Sequence, residues 1–487
     1  MAMHDTSPNL NSTGSQKDKT PAVPPQDVFS HEAAEVSFVG VSWQGAAILI
    51  TKFQIGLGVL SLPSTFHVLG FFPGLLCFVV LALMTGVSGY VCGNARLYYP
   101  QLHNIGDAAE LLFGRVAREL IGVIYYVYLA LVSGAAMLTT SVALNTLSDH
   151  GFCTTGFVGF ICAVAFLMGT GFRSLEKVSW LGWVGVTGII LSVWTVAIAC
   201  LVQDRPTAAP SAGPVDLDIR ALPNTTFPQA MSAISNQLFA VGASGTFFSI
   251  SAEMKQPELF TRSLICGQSF IIITDIIIAS IVYGKVGQYL TSPALGSAGL
   301  LIKKISYGIA LPGLIVTAVL YSHIAGKYCF VRILRGTPDL QSNTVKHWTV
   351  WIGSMLLTAT LGFIMVGVVP FFDDFLSLVG ALLNPVLTNI IPGLMILFYV
   401  AERPAKYNSG IPRDTVAAAM DARHWLLRAL DGFRRGWKTS VVIAMAAFII
   451  LTGAIIIVAG TYATVVNIQV SYAAGDVSTV FTCADNS

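Results

Sequence analysis

Two short runs put glycines where a helix would be weakest. The first, Gln54, Ile55, Gly56, Leu57, Gly58, Val59, Leu60, Ser61, Leu62, Pro63, carries two glycines one residue apart and then a proline. The second, Phe239, Ala240, Val241, Gly242, Ala243, Ser244, Gly245, Thr246, carries another glycine pair. Glycine and proline are the poorest helix formers, and both runs lie inside long apolar stretches. An unwound segment in such surroundings frees N–H and C=O groups that need a polar partner. A zwitterion meets that need: its carboxylate takes N–H groups at the positive end of a half-helix, and its ammonium takes freed carbonyls. Glycine pairs in apolar helices also allow close helix contact. One pair alone would favour that use; two pairs in corresponding positions favour a binding site. Gly182, Gly185 and Gly188, by contrast, read as a packing face.

Ionisable and hydroxyl groups in apolar runs come next. Asp275 stands between Ile271–Ile273 and Ile276–Ile278, where an ionised carboxylate costs several kcal/mol unless paired; it is a candidate proton carrier or a hydrogen-bonded structural group. Lys52 lies one turn before Gly56. It either snorkels toward water or sits buried as a fixed positive charge, which would argue for proton coupling over sodium. Tyr125 and Tyr128 share a helix face with a hydroxyl to offer a carboxylate, although aromatic stripes usually pack. Thr317, Ser322 and His323 are further coupling candidates whose hydroxyls can also return to their own backbone. Asp373 and Asp374 read as helix N-terminal acids favoured by the dipole.

The elements that must position these groups are membrane helices. Of 487 residues, 54% are hydrophobic and 11% charged, against roughly a quarter charged in a soluble domain. A bilayer core needs about 20 apolar residues per helix, and eleven windows qualify: 42–66, 69–93, 119–147, 155–171, 178–202, 231–252, 264–286, 305–328, 347–369, 374–399 and 439–462. None alternates as a barrel strand would. The glycine runs fall in the first and sixth windows, which points to an all-α polytopic bundle with a five-plus-five inverted repeat and one extra helix. Residues 1–41, rich in Pro, Ser and Thr, read as a disordered tail without a cleavable signal peptide. Residues 42–462 are the membrane domain and 463–487 a short outer tail.

With the N-terminus inside, inner segments hold 21 Lys and Arg and outer ones five, so the N-terminus is expected in the cytoplasm and the C-terminus outside. Cys153 and Cys483 then share the outer side, where pairing is open to them. Asn224, Thr225 and Thr226 form a glycosylation triplet on that side. The inner loop before the last helix has Leu426, Leu430, Phe433 and Trp437 on one face, suited to a helix in the headgroup layer or packed on the bundle.

A net charge of +2 does not suit nucleic acid. There is no phosphate loop, HExxH or CxxC pair and no repeated channel filter. The chain therefore reads as no enzyme, with no metal and no cofactor.

The run Lys52 to Pro63 resembles the first-helix signature of the amino acid/auxin permease family. Gly106, Asp107, Ala108, Ala109, Glu110, Phe113 and Gly114 resemble its first inner loop. Phe239 to Gly245, followed by Glu253, Met254, Lys255, Gln256 and Pro257, is similar to its sixth helix and inner end, and Pro370 to Val379 to the start of its tenth. The resemblance covers roughly residues 42–462 and is nearest to fungal neutral amino-acid permeases. It implies a LeuT-like fold of eleven helices and proton-driven uptake of neutral aliphatic or aromatic L-amino acids at the plasma membrane. The family's binding segments carry over onto Ile55, Gly56, Leu57 and Gly58, and onto Phe239, Val241, Gly242 and Ser244. Many members have an aromatic or acidic group and a His in the sixth-helix break, where this chain has Val241, Gly242 and Ser244. Sodium-coupled members tend to carry an Asn where this chain has Thr51 and Lys52, which makes sodium the weaker partner. A vacuolar amino-acid transporter, or a transceptor that binds an amino acid and signals, are the rival readings.

Overall fold

The computed structural model describes residues 39–172, 175–210, 213–222, 225–368, 372–407, 425–474, 481 and 483. Residues 1–38 of the expected tail and Asn224 of the glycosylation triplet lie outside them. Among the described residues there is no strand, only the isolated bridge Val41–Met254.

Ser42, whose hydroxyl accepts from Gly45 N at 3.1 Å, caps the first helix described, α1, Trp43–Ile55. Gly56 and Leu57 interrupt the helix, and α2, Gly58–Leu69, continues at an angle of 44°. Then come α3 (Phe71–Tyr98), the short α4 (Ile105–Phe113), α5 (Arg115–Ser148), α6 (Thr154–Gly171) and α7 (Leu175–Val202). The second half repeats the order. A broken pair, α8 (Phe227–Val241) and α9 (Phe247–Glu253), precedes α10 (Phe260–Val286), α11 (Leu300–Leu334) and α12 (Val345–Val368). Even the lengths correspond: α3 and α10 have 28 and 27 residues, α5 and α11 have 34 and 35.

The tenth span differs from its continuous reading in sequence. It divides into α13 (Phe372–Leu382) and α14 (Ile391–Tyr407), bent by 41° with a π turn at Val386–Ile390 just after Pro385. Proline removes a backbone donor and widens the ladder there. A short α15 (Trp425–Leu430) leads to α16 (Trp437–Ile455), a second π turn at Ile456–Gly460 and α17 (Thr461–Ala474). The last span thus stays helical through residues 463–474, which the sequence assigned to a tail; no helix breaker falls between Gly460 and Gly475.

Among the described residues eight helices are long and apolar enough to cross a membrane, or ten when each of the two bent pairs is one span. The remaining member of the sequence count, 231–252, is the α8–α9 segment, which is too interrupted to qualify by length. Lipid-facing apolar residues such as Phe72, Leu83, Phe160, Ile273, Leu356 and Leu451 are exposed around the bundle, as a hydrocarbon solvent permits.

Small residues set the packing of the core. A Cβ on Gly313 would lie 2.7 Å from Gly185 O, and one on Gly188 3.0 Å from Ile309 O, so α7 and α11 touch backbone to backbone. Of the expected packing face on the fifth span, Gly185 and Gly188 make this contact, while a Cβ on Gly182 would lie 3.1 Å from Ile48 of α1. Ser133 Oγ donates to Ala318 O at 3.0 Å and joins α5 to α11. Cys153, just before α6, and Cys483 form a disulfide.

Candidate functional site

The first and sixth spans are both interrupted, to different degrees. Gly56 keeps helical angles and Leu57 departs modestly, at φ −118 and ψ −33. The sixth-span break is deeper: Gly242 has φ −95 and ψ 60, Ala243 has φ −108 and ψ 6, and a turn of 3₁₀ helix spans Ser244–Thr246 before α9. The two breaks are held together by glycine. A Cβ on Gly58 would fall 2.4 Å from Ala240 Cα, so α2 lies directly on α8 beside the unwound segment. At Gly58 the close-contact use of glycine and the break coexist.

Freed backbone groups find partners from neighbouring helices. Gly242 O accepts from Tyr128 Oη at 3.0 Å and from Thr388 Oγ1 at 3.3 Å. Leu238 O accepts from Asn384 Nδ2 at 3.1 Å, and Ser244 Oγ donates to Thr85 O at 3.1 Å. On the first span Tyr321 Oη donates to Phe53 O at 2.6 Å. Ile55, Leu57, Phe239 and Val241 are buried and give the breaks apolar walls. The segment around the tenth-span π turn therefore belongs to the same centre: Leu387 Cβ lies 3.3 Å from where a Gly245 Cβ would be.

Lys52 does not reach toward water. It is 1% exposed, and its Nζ donates to Thr317 Oγ1 at 2.6 Å, while Thr317 returns its own hydroxyl to Gly313 O at 2.9 Å. The stem crosses Gly185, where an added Cβ would stand 2.8 Å from Lys52 Cε. Gly56 sits over the same hydroxyl, its missing Cβ 2.9 Å from Thr317 Oγ1. Next to Lys52, Gln54 Nε2 donates to Gln268 Oε1 of α10 at 2.8 Å.

Other singled-out residues lie elsewhere. Asp275, two turns beyond Gln268 on α10, is 1% exposed and both carboxyl oxygens lack a hydrogen-bond partner among the described residues. No hydrogen bond links it to either break. Tyr125 packs edge-on against Tyr328 at 5.3 Å, and Tyr128, one turn on, is the tyrosine that reaches the sixth-span break. His323 points to α6 and α12, with Nδ1 3.2 Å from Gly169 O and its ring against Trp351. Ser322 is buried and its hydroxyl has no partner among the described residues. Sequence reasoning passed over Tyr321, Asn384, Thr388 and Gln268; a buried Asn before Pro385 was the available signal.

Polar contacts tie the helix ends on both sides of the breaks. On the α9 side, Lys327 Nζ of α11 meets Glu253 Oε1 at the end of α9 at 2.6 Å, with 4% and 1% of the side chains exposed. Gly40 N and Val41 N donate to Glu253 O at 3.0 and 2.9 Å, and Lys255 N donates to Val41 O at 2.9 Å, strapping the segment before α1 to the end of α9. Arg96 Nη1 adds a bond to Ala252 O at 3.1 Å. His103, in the loop before α4, is held well below its ordinary imidazole range, first by burial and then by the charges of Lys327, Arg96 and Arg335. On the α2 side, Asp373 and Asp374 do open α13, and they also receive Ser64 Oγ of α2 at 3.3 Å and Ser471 Oγ of α17 at 3.1 Å.

An integral membrane bundle whose buried centre is lined by interrupted helices from two similar halves is the architecture of a solute transporter. The chain belongs to the transmembrane amino acid transporter protein family, whose pattern matches residues 40–417. A protein of Fusarium pseudograminearum described as a transmembrane transporter is 30% identical over 462 residues, covering 95% of this chain and 91% of that one. The N amino acid transport system protein of Neurospora crassa is 26% identical over 454 residues, covering 93% and 90%. Among solved structures, a nucleobase-cation-symport-1 family transporter, closed with bromovinylhydantoin bound, matches with a TM-score of 0.52 at 13% identity, over 91% of this chain and 96% of that chain. That likeness is one of fold, the LeuT-like arrangement.

Proposed function

We propose that the protein imports neutral aliphatic or aromatic L-amino acids across the plasma membrane by proton symport and alternating access. The observation that carries the coupling is the buried Lys52–Thr317 contact of 2.6 Å between the first and eighth spans. A sodium ion at that place would face a like charge at close range in a poorly screening interior. A proton gradient needs no such site, and Asp275, buried and unpartnered among the described residues, is the proton carrier in this reading.

Substrate class rests on the breaks. Backbone amides and carbonyls at 56–58 and 242–246 suit a zwitterion, and the walls made by Ile55, Leu57, Phe239 and Val241 suit an uncharged side chain. The Neurospora crassa relative, named for amino acid transport, supports the same class. For substrate to enter, Gly242 O must exchange Tyr128 or Thr388 for the substrate ammonium, so these two hydroxyls gate the site. Opening toward the cytoplasm parts Glu253 from Lys327, and opening outward parts Ser64 from Asp373. The disulfide between Cys153 and Cys483 supports an outward C-terminus, since disulfides persist on the oxidising side, and the Lys and Arg distribution supports a cytoplasmic N-terminus.

Purified protein in proteoliposomes, offered a panel of radiolabelled amino acids under imposed gradients, tests the reading. Accumulation of leucine- and phenylalanine-like substrates driven by a pH gradient and indifferent to sodium is expected. Sodium-driven uptake would overturn the coupling, and saturable binding without flux would replace transport by sensing.

A further inference from the structure

A cavity of about 540 Å³ opens at the inner ends of α3 and α14 beside the start of α16, away from the breaks. Tyr90, Asn94, Tyr98, Tyr99, Tyr399 and Glu402 are among its lining residues. Tyr99 Oη donates to a Glu402 carboxylate oxygen in a short hydrogen bond. Tyr99 stacks on Tyr399 with ring centroids 6.0 Å apart and planes at 27°, and Tyr98 leans on Tyr399 at 6.1 Å. The Tyr399 hydroxyl is buried with no hydrogen-bond partner among the described residues. Asn94 is already committed, donating to Tyr90 O at 2.9 Å and to Thr261 Oγ1 at 3.0 Å.

Two features set the chemistry of an occupant. Among the described residues no Lys, Arg or His forms an ion pair with Glu402, whose carboxylate accepts from Tyr99. Four tyrosines line the cavity together with that carboxylate, and aromatic rings attract weakly hydrated cations, ammonium groups above all. The mouth is half apolar: Tyr90, Leu97 and Tyr98 are 52%, 47% and 57% exposed. It lies where helices end and headgroups begin, the depth at which tyrosine is at home. A charged ammonium joined to an apolar body fits both features.

We propose that this cavity binds the ammonium headgroup of a phospholipid, phosphatidylethanolamine or phosphatidylcholine, from the leaflet at the inner ends of α3 and α14. Glu402 pairs with the ammonium, the tyrosine rings enclose it, and Leu97 and Val442 meet the glycerol and upper chains. The site depends on the membrane-spanning fold and on no step of transport, so its failure would leave the transport reading untouched.

Native mass spectrometry of the purified full-length protein, titrated in micelles with short-chain phosphatidylethanolamine, phosphatidylcholine or phosphatidylglycerol, tests it. One ammonium lipid per chain is expected to bind in preference to phosphatidylglycerol. Glu402→Gln should weaken that binding about tenfold or more, the loss of one charge-assisted contact. Tyr90→Ala, at the exposed mouth, should weaken it with the lipid-free thermal midpoint unchanged, and decides the matter where Glu402→Gln folds poorly. Equal retention of phosphatidylglycerol, or full preference in a folded Glu402→Gln or Tyr90→Ala protein, overturns the proposal. Equally tight binding of free ethanolamine or choline overturns the lipid as source.

Discussion

The Lys52 ammonium donates to the Thr317 hydroxyl at 2.6 Å directly beneath the break at Gly56, joining the first membrane helix to the eighth. Lys52→Gln keeps most of the volume and removes the charge. It should reduce uptake driven by a proton gradient about tenfold or more, since a hydrogen bond to a charged group contributes about 1.5–3 kcal/mol. Thr317→Val should have the same direction of effect. Uptake with unchanged dependence on the imposed pH gradient in both variants would remove Lys52 from the coupling.

Glu253 and Lys327 make a pair whose side chains are 1% and 4% exposed. Removing one partner strands the other, at a cost of about 3–5 kcal/mol, whereas removing both can be nearly neutral. Lys327→Met should therefore lower the thermal midpoint more than the double variant Glu253→Gln with Lys327→Met. A double variant at least as unstable as the sum of the single ones would show that the contact is not a coupled pair.

Gly58 separates packing from binding. With Ala240 Cα 2.4 Å from a virtual Cβ, Gly58→Ala should lower the yield of folded protein. A Cβ added at Gly245 would meet nothing nearer than Leu387 Cβ at 3.3 Å, with Ile105 Cδ1 at 3.6 Å and Leu387 O at 3.7 Å, so Gly245→Ala should fold with altered substrate affinity. Full yield from Gly58→Ala would mean that α2 does not lie on α8 as described.

His103 predicts a pH dependence at the end where Glu253 meets Lys327. Its neutral form is the one held in the fold, so its contribution to stability is complete above the ordinary imidazole range of about 6.5 and falls as pH drops below it. The thermal midpoint should decline from pH 7 to pH 5 and decline less in His103→Gln. Identical slopes would take His103 out of that closure.

Much of this was legible in sequence because lipid imposes simple rules. Apolar runs located the spans, and the glycine pairs located both breaks. What escaped depends on neighbours. Lys52 could have snorkelled; the absent Cβ of Gly185, 133 positions away, lets its stem turn inward instead. Tyr125 and Tyr128 occupy one helix face, and only the position of Gly242 selects Tyr128. The third interruption, at Pro385, lay in a run apolar enough to read as one helix, and its π turn is fixed by Asn384 and Thr388 bonding across to α8 and Gly242.

The reading of the breaks as the substrate site is tested most directly by hydrogen exchange of the reconstituted protein with and without a transported amino acid. Slowed exchange confined to peptides containing Ile55–Gly58 and Gly242–Thr246 is the expected result. Protection elsewhere, with those two stretches exchanging as before, would contradict it.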